Sequence, residues 1–182
     1  DEPYQELDLT KLPPGKGYWR AFQIAFILMS LRSVAEADDP FRENVELIWF
    51  PTGGGKTEAY LGLAAFSIFL RRLRDPADAG LDVFMRYTLR LLTSQQFQRA
   101  CSLVCAMEYL RRQNESELGT KEISIGLWLG QATTPNSREQ AKSALRALVR
   151  DPKWAHNPFV LRKCPWCNAQ IGPMEVEKRE FW

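Results

Sequence analysis

The chain has 182 residues, 45% of them hydrophobic, and a formal net charge of +2. That is enough apolar material for one domain with a small appendage, and too little charge to argue for a nucleic-acid partner except from where the cations lie. The acidic start Asp1-Glu2-Pro3 argues against a secretory leader, and the apolar stretch Ala59 to Leu70 is too short to span a bilayer. Four cysteines in two dissimilar pairs are no secreted disulfide framework, so a reducing cytoplasm with no membrane contact is expected.

Residues 1–17 read as a polar lead-in broken by Pro13-Pro14-Gly15. Trp19, Phe22, Phe26, Met29 and Ser33 recur at helical spacing and predict an amphipathic helix from Tyr18 to about Val34, ended by Asp38-Asp39-Pro40. Val45-Glu46-Leu47-Ile48-Trp49-Phe50 is a β-branched and aromatic run that reads as a strand. It feeds the turn Pro51-Thr52-Gly53-Gly54-Gly55, and Lys56-Thr57 open a helix expected to continue to about Arg74. Strand, glycine-rich turn and helix in that order are what a phosphate-binding loop requires. Glycines let consecutive backbone N–H groups converge on an anion, and the helix aims its free N–H groups and positive dipole end at the same place. Lys56 is then placed to reach the β- and γ-phosphates of a nucleotide such as ATP, and the Thr57 hydroxyl to ligate Mg²⁺. The general pattern begins with a glycine where Phe50 stands here.

The helix after Lys56 is apolar nearly all round, which predicts burial, and Arg71, Arg72 and Arg74 suit its negative C-terminal end. Asp75-Pro76 stops it, and Leu81 to Tyr87 reads as a second strand. Thr93 with Gln96 makes a capping box, predicting a helix from Ser94 to about Arg112. Asn114 to Thr120 is a polar loop, and Glu122 to Leu129 alternates as a third strand. Ser137 with Gln140 forms a further capping box, starting a helix that ends at Asp151-Pro152. Strand–helix alternation at these lengths predicts an α/β fold over residues 18–153, a parallel sheet flanked by helices.

Two surface features remain. Arg138, Lys142, Arg146 and Arg150 step along the last helix opposite Ala141, Ala144, Leu145 and Leu148. They are either the solvated face of an amphipathic helix or a track for nucleic-acid phosphates. Residues 154–182 contain Cys164-Pro-Trp-Cys167 between two short apolar runs, the arrangement of a zinc knuckle with thiolates on one tight turn. Cys164 and Cys167 supply half of a Zn²⁺ site, with a second pair expected beyond Trp182; a redox pair would need a helix after it, and Gly172-Pro173 argues against one. Cys101 and Cys105, four apart on a helix, read as small buried side chains.

Several of these segments carry a family resemblance. Pro51-Thr52-Gly53-Gly54-Gly55-Lys56-Thr57 resembles motif I of superfamily 2 helicases, and Arg20-Ala-Phe-Gln23 resembles the adenine-reading signature that precedes it. Arg86-Tyr-Thr-Leu-Arg90-Leu-Leu-Thr93-Ser-Gln95-Gln96 is similar to motif Ia, with Tyr87 in place of Pro, and Thr133-Thr134-Pro135-Asn136 occupies the place of motif Ib without its Arg. The wording of these motifs is similar to that of the helicase component of the bacterial DISARM anti-phage system. The resemblance implies the first RecA-like lobe of an ATP-dependent helicase or translocase. It places ATP at Arg20, Gln23, Pro51, Thr52, Gly53, Gly54, Gly55, Lys56, Thr57 and Glu58, with Lys56 and Thr57 catalytic. It places DNA, single-stranded or with a single-stranded end, at Arg86, Arg90, Thr93, Gln95, Thr134, Asn136, Arg138, Lys142 and Arg146. A partner subunit of the defence complex is implied as well. The carboxylate motif that positions Mg²⁺ and the attacking water does not follow, nor does a second lobe, so the chain is expected to be a piece of a longer protein. The alternative from another class is a module that uses nucleotide to gate partner or DNA binding without translocation.

Overall fold

Among the described residues the secondary structure is helical: α1 (Ala21–Ala35), α2 (Lys56–Arg74), α3 (Arg90–Gln113), α4 (Glu115–Leu118) and α5 (Arg138–Arg150). The structure, a computed structural model, describes residues 17–51, 53–86, 90–129 and 134–171. The lead-in 1–16 lies outside them.

The expected parallel sheet is absent among the described residues. No strand occurs among the described residues, and the pairing they show is an isolated antiparallel bridge between Lys163 and Gln170. The fold is therefore not the parallel-sheet α/β fold that the alternation predicted, nor the RecA-like lobe that the helicase resemblance implied. The reason lies in what each kind of element needs. A helix closes its hydrogen bonds within one segment, so the helical stretches form largely where expected. A strand exists only with a neighbour to share a ladder. Residues 45–50, 81–86 and 122–129 have the apolar pattern but no such neighbour; Val45, Leu47 and Trp49 are 95%, 83% and 90% exposed.

Two compact units divide the chain, and α3 contributes to both. The first holds α1, α2, the end of α3 from Met107, and α4. Within it α1 and α2 lie side by side in the same direction. At their N-terminal ends Gln23 Nε2 donates to Gly55 O at 2.7 Å, and at their C-terminal ends Arg74 Nη1 donates to Ala35 O at 2.7 Å. Arg42 Nη1 also donates to Ser33 O at 2.7 Å, so two guanidinium groups satisfy carbonyls that the end of α1 leaves open. Helix α2 is half-buried all round along most of its length, with Thr57, Ala59 and Arg72 its buried residues.

The connection after α2 is held by charge. Arg71 forks onto Asp78 at 2.6 to 2.9 Å and reaches Asp82 Oδ1 at 3.0 Å, which also accepts from Ser67 Oγ. Buried Arg72 donates to Glu122 O at 3.2 Å. Between α3 and α4, buried Arg111 donates to Glu108 and, at 2.7 Å, to Gly119 O. Gly119 has φ 77°, and a Cβ there would lie 1.9 Å from Pro76 O, so this turn packs backbone against backbone in a way only glycine permits.

The second unit holds α3 up to Ala106, α5, and the segment around Cys164. Among its described residues the buried apolar ones are Ala100, Cys101 and Leu148. Ser137 caps α5 as its sequence indicates, Oγ accepting from Gln140 N at 3.2 Å. The Gln140 side chain reaches one residue further back than a capping box requires, accepting from Asn136 N. Helix α3 starts at Arg90, one turn before the expected cap, so Thr93 stands inside the helix and not at its N-cap.

Candidate phosphate-binding site

The glycine turn is built from three directions. Gly54 N donates to Pro51 O at 3.1 Å, closing the turn, and Gly53 and Gly55 take left-handed φ of 82° and 93°. Gly55 is the N-cap of α2 and brings no side chain to its free N–H groups. Those first-turn N–H groups and the helix dipole therefore stay available to an anion.

The second direction is the start of α1. Gln23 Oε1 accepts from Arg20 N at 2.8 Å while Nε2 donates to Gly55 O. Arg20 Nη1 donates to Gly54 O at 2.7 Å. Gln23 is buried, and a Cβ on Gly55 would lie 2.7 Å from its Nε2. Residues 20 and 23, which the helicase resemblance assigns to adenine, here hold two consecutive turn carbonyls. The third direction is stacking: the rings of Phe22 and Phe50 lie 3.9 Å apart and nearly parallel, fixing the residue where the general pattern has glycine.

Lys56 folds back across the turn, its ammonium donating to the carbonyls of Phe50 and, at 3.2 Å, Pro51. The Thr57 hydroxyl is buried and accepts from Tyr60 Oη at 3.1 Å, which leaves its own proton and second lone pair for other partners. Glu58 is half-buried in the first turn of α2, close under Gly55. Pro51 and Gly53 are exposed, and Thr52 lies outside the described residues. The site thus brings together Arg20, Gln23, Gly53, Gly54, Gly55 and Lys56.

The residues expected along a DNA path are placed separately. Arg86 and Gln95 are exposed, while Arg90 and Thr93 have side chains outside the described set. Thr134 Oγ1 donates to Leu129 O at 3.2 Å, and Asn136 is exposed beside the α5 N-terminus. Arg138, Lys142, Arg146 and Arg150 are all exposed along α5, with Leu148 buried on the opposite side. Cys164 and Cys167 share one turn; N–H groups of Cys167 and Trp166 at the Cys164 sulfur hold its thiol below the usual range. No group of three or more His, Cys, Asp or Glu side chains able to hold a metal occurs among the described residues. Cys101 is buried as expected, its thiol pushed up to about 11 by desolvation, and Cys105 is half-buried and also raised.

The Glu108–Arg111 pair escaped the sequence reading, although Glu108, Arg111, Arg112 and Glu115 stand at the three- and four-residue spacing that pairs charges on a helix. The Phe22–Phe50 stack had no local signal.

Over 161 residues the chain is 39% identical to the DISARM protein DrmA of Bacillus paralicheniformis. The chain is a relative of a DISARM protein. The match covers 84% of this chain and 14% of DrmA, so the chain spans a small part of that relative's length. No protein-family model matches the chain, and no solved structure matches it. No helix of the described residues is long and apolar enough to cross a membrane.

Proposed function

We propose that the turn 51–57 binds the phosphates of ATP, and that the chain is the nucleotide-binding part of an ATP-driven, DNA-acting component of a bacterial anti-phage defence system, working in the cytoplasm with partner subunits. The observation that carries this reading is the turn itself. Two left-handed glycines open a helix whose N-terminal N–H groups have no side-chain cap, and the ammonium of Lys56 lies across the mouth of the turn. Positive potential and convergent donors in one place are what a polyphosphate selects. Lys56 exchanges its two carbonyl partners for phosphate oxygens at little cost, because both are neutral acceptors and the phosphate is charged. Thr57 has the hydroxyl valence left to join the coordination of Mg²⁺, whose role is to neutralise phosphate charge. The relationship to DrmA supplies the defence setting, and the exposed α5 cations supply a surface for DNA phosphates.

The test is Lys56→Ala in the full-length protein. ATP hydrolysis should fall by roughly 100-fold or more while the circular dichroism stays unchanged, because the other cation at the turn, Arg20, is held on Gly54 O. Turnover close to the wild type in that variant removes the phosphate-binding assignment. Stimulation of the wild-type rate by single-stranded DNA tests the DNA-acting half of the reading independently.

A further inference from the structure

The segment around Cys164 has a defined shape with little to hold it. Cys164 N donates to Ala169 O at 2.7 Å, Asn168 N to Cys164 O at 2.9 Å, and Ile171 N to Arg162 O at 2.9 Å. Asn168 takes the left-handed conformation at φ 63°, so the chain reverses within the four residues after Cys164. The Cys164 sulfur accepts from the N–H groups of Trp166 and Cys167 and from the Cys167 thiol, so the two sulfurs lie together. None of residues 159–171 is buried, and their ladder amounts to the one bridge between Lys163 and Gln170. A hairpin of that size with no core is marginal by itself and needs a staple. Both cysteines are free, so the staple is not a disulfide between them.

We propose that Cys164 and Cys167 are two thiolate ligands of a structural Zn²⁺, whose remaining ligands come from outside residues 17–171. Two N–H groups directed at a cysteine sulfur stabilise a bound thiolate and fix its direction, the outer-shell arrangement that orients metal ligands. Four-coordinate zinc needs two further donors. Among the described residues no third donor completes the pair: the α3 cysteines belong to no group of three, and Cys101 is 3% exposed. Ser102 Oγ donates to Pro165 O at 3.0 Å, so α3 packs against the turn, and the Cys105 thiol is near enough to feel the Cys164 charge, yet it completes no group of three ligands with the pair. A redox role is disfavoured because the residues after Cys164 turn back instead of starting a helix, so no helix dipole serves the thiolate.

Elemental analysis of the full-length protein tests this. Zinc should be present, and Cys164→Ser with Cys167→Ser should remove about one equivalent per chain; Cys101→Ser and Cys105→Ser should remove none. Retention of all zinc in the double variant overturns the proposal, and loss of zinc in Cys105→Ser overturns the placement of the other ligands. Should the double variant fail to fold, the wild type still decides. Stripping zinc with a chelator should expose Cys164 and Cys167 to alkylation, mapped by mass spectrometry, and re-adding Zn²⁺ should protect them. Equal alkylation of both residues with and without zinc overturns the site, as does isolation of the pair as a reversible disulfide.

Discussion

At the scale of single residues, Gln23 shows how a side chain suited to one task is occupied by another. Its amide bridges Arg20 N and Gly55 O, so replacing it removes two hydrogen bonds that hold the glycine turn. Gln23→Ala should weaken ATP and GTP alike, by about 1–3 kcal/mol, because the loss falls on the phosphate cradle. Titration of both nucleotides checks this; selective weakening of ATP would instead assign Gln23 to the adenine edge. The Glu108–Arg111 pair makes a second prediction. The Arg111 guanidinium, with the Ile123 N–H and Arg112, holds the Glu108 carboxyl down at about 2, below its ordinary value of 4.5. A carboxylate whose value is depressed on folding stabilises the folded chain above its unfolded value. That stabilisation is present at neutral pH and drains away as pH falls from about 4.5 toward 2. Glu108→Gln should cost about 3 kcal/mol at pH 7, since Arg111 is buried and loses its main counter-charge. Urea midpoints measured against pH should converge for variant and wild type across that acidic window.

At the scale of elements, what the sequence made legible was whatever is decided locally. The bounds of α2 follow from Gly55 before it and Asp75-Pro76 after it, and the start of α5 from the Ser137 hydroxyl. The glycine turn was equally readable, since it rests on a residue type that tolerates positive φ. The strands were not, because alternation in Ile123, Ile125 and Leu127 states which side is apolar and not whether a second strand lies alongside. Nor was the use of Arg20 and Gln23 as props, which depends on two helices lying parallel, a contact more than thirty residues apart in sequence. Helix α5 carries the element-scale prediction. Its exposed cations make no ion pair among the described residues and are spaced to follow a phosphate chain. Replacing Arg138, Lys142 and Arg146 with Gln in the full-length protein should weaken DNA binding for all sequences alike. It should also flatten the slope of log affinity against log salt by roughly 2–3 units. ATP binding without DNA should be unchanged, and an unaltered salt slope would leave the stripe as a solvated helix face.

At the scale of the whole molecule, the apolar segments that failed to become strands have a practical cost. Val45 to Phe50 is a six-residue window of β-prone, aromatic residues with a single charge and no proline, and its alternate side chains stand almost wholly in water. Leu81, Phe84 and Trp128 are exposed in the same manner. Such windows recruit copies of themselves through unpaired backbone and greasy side chains alike. Purified alone, the chain should therefore clump: light scattering should rise steeply with concentration, and Leu47→Glu with Trp49→Glu should suppress it. Scattering that stays flat into the millimolar range would show the windows to be harmless. A stretch that must be tucked away in a larger assembly is, on its own, an invitation to precipitate, and the segment leading into the glycine turn is where this chain is most exposed to that fate.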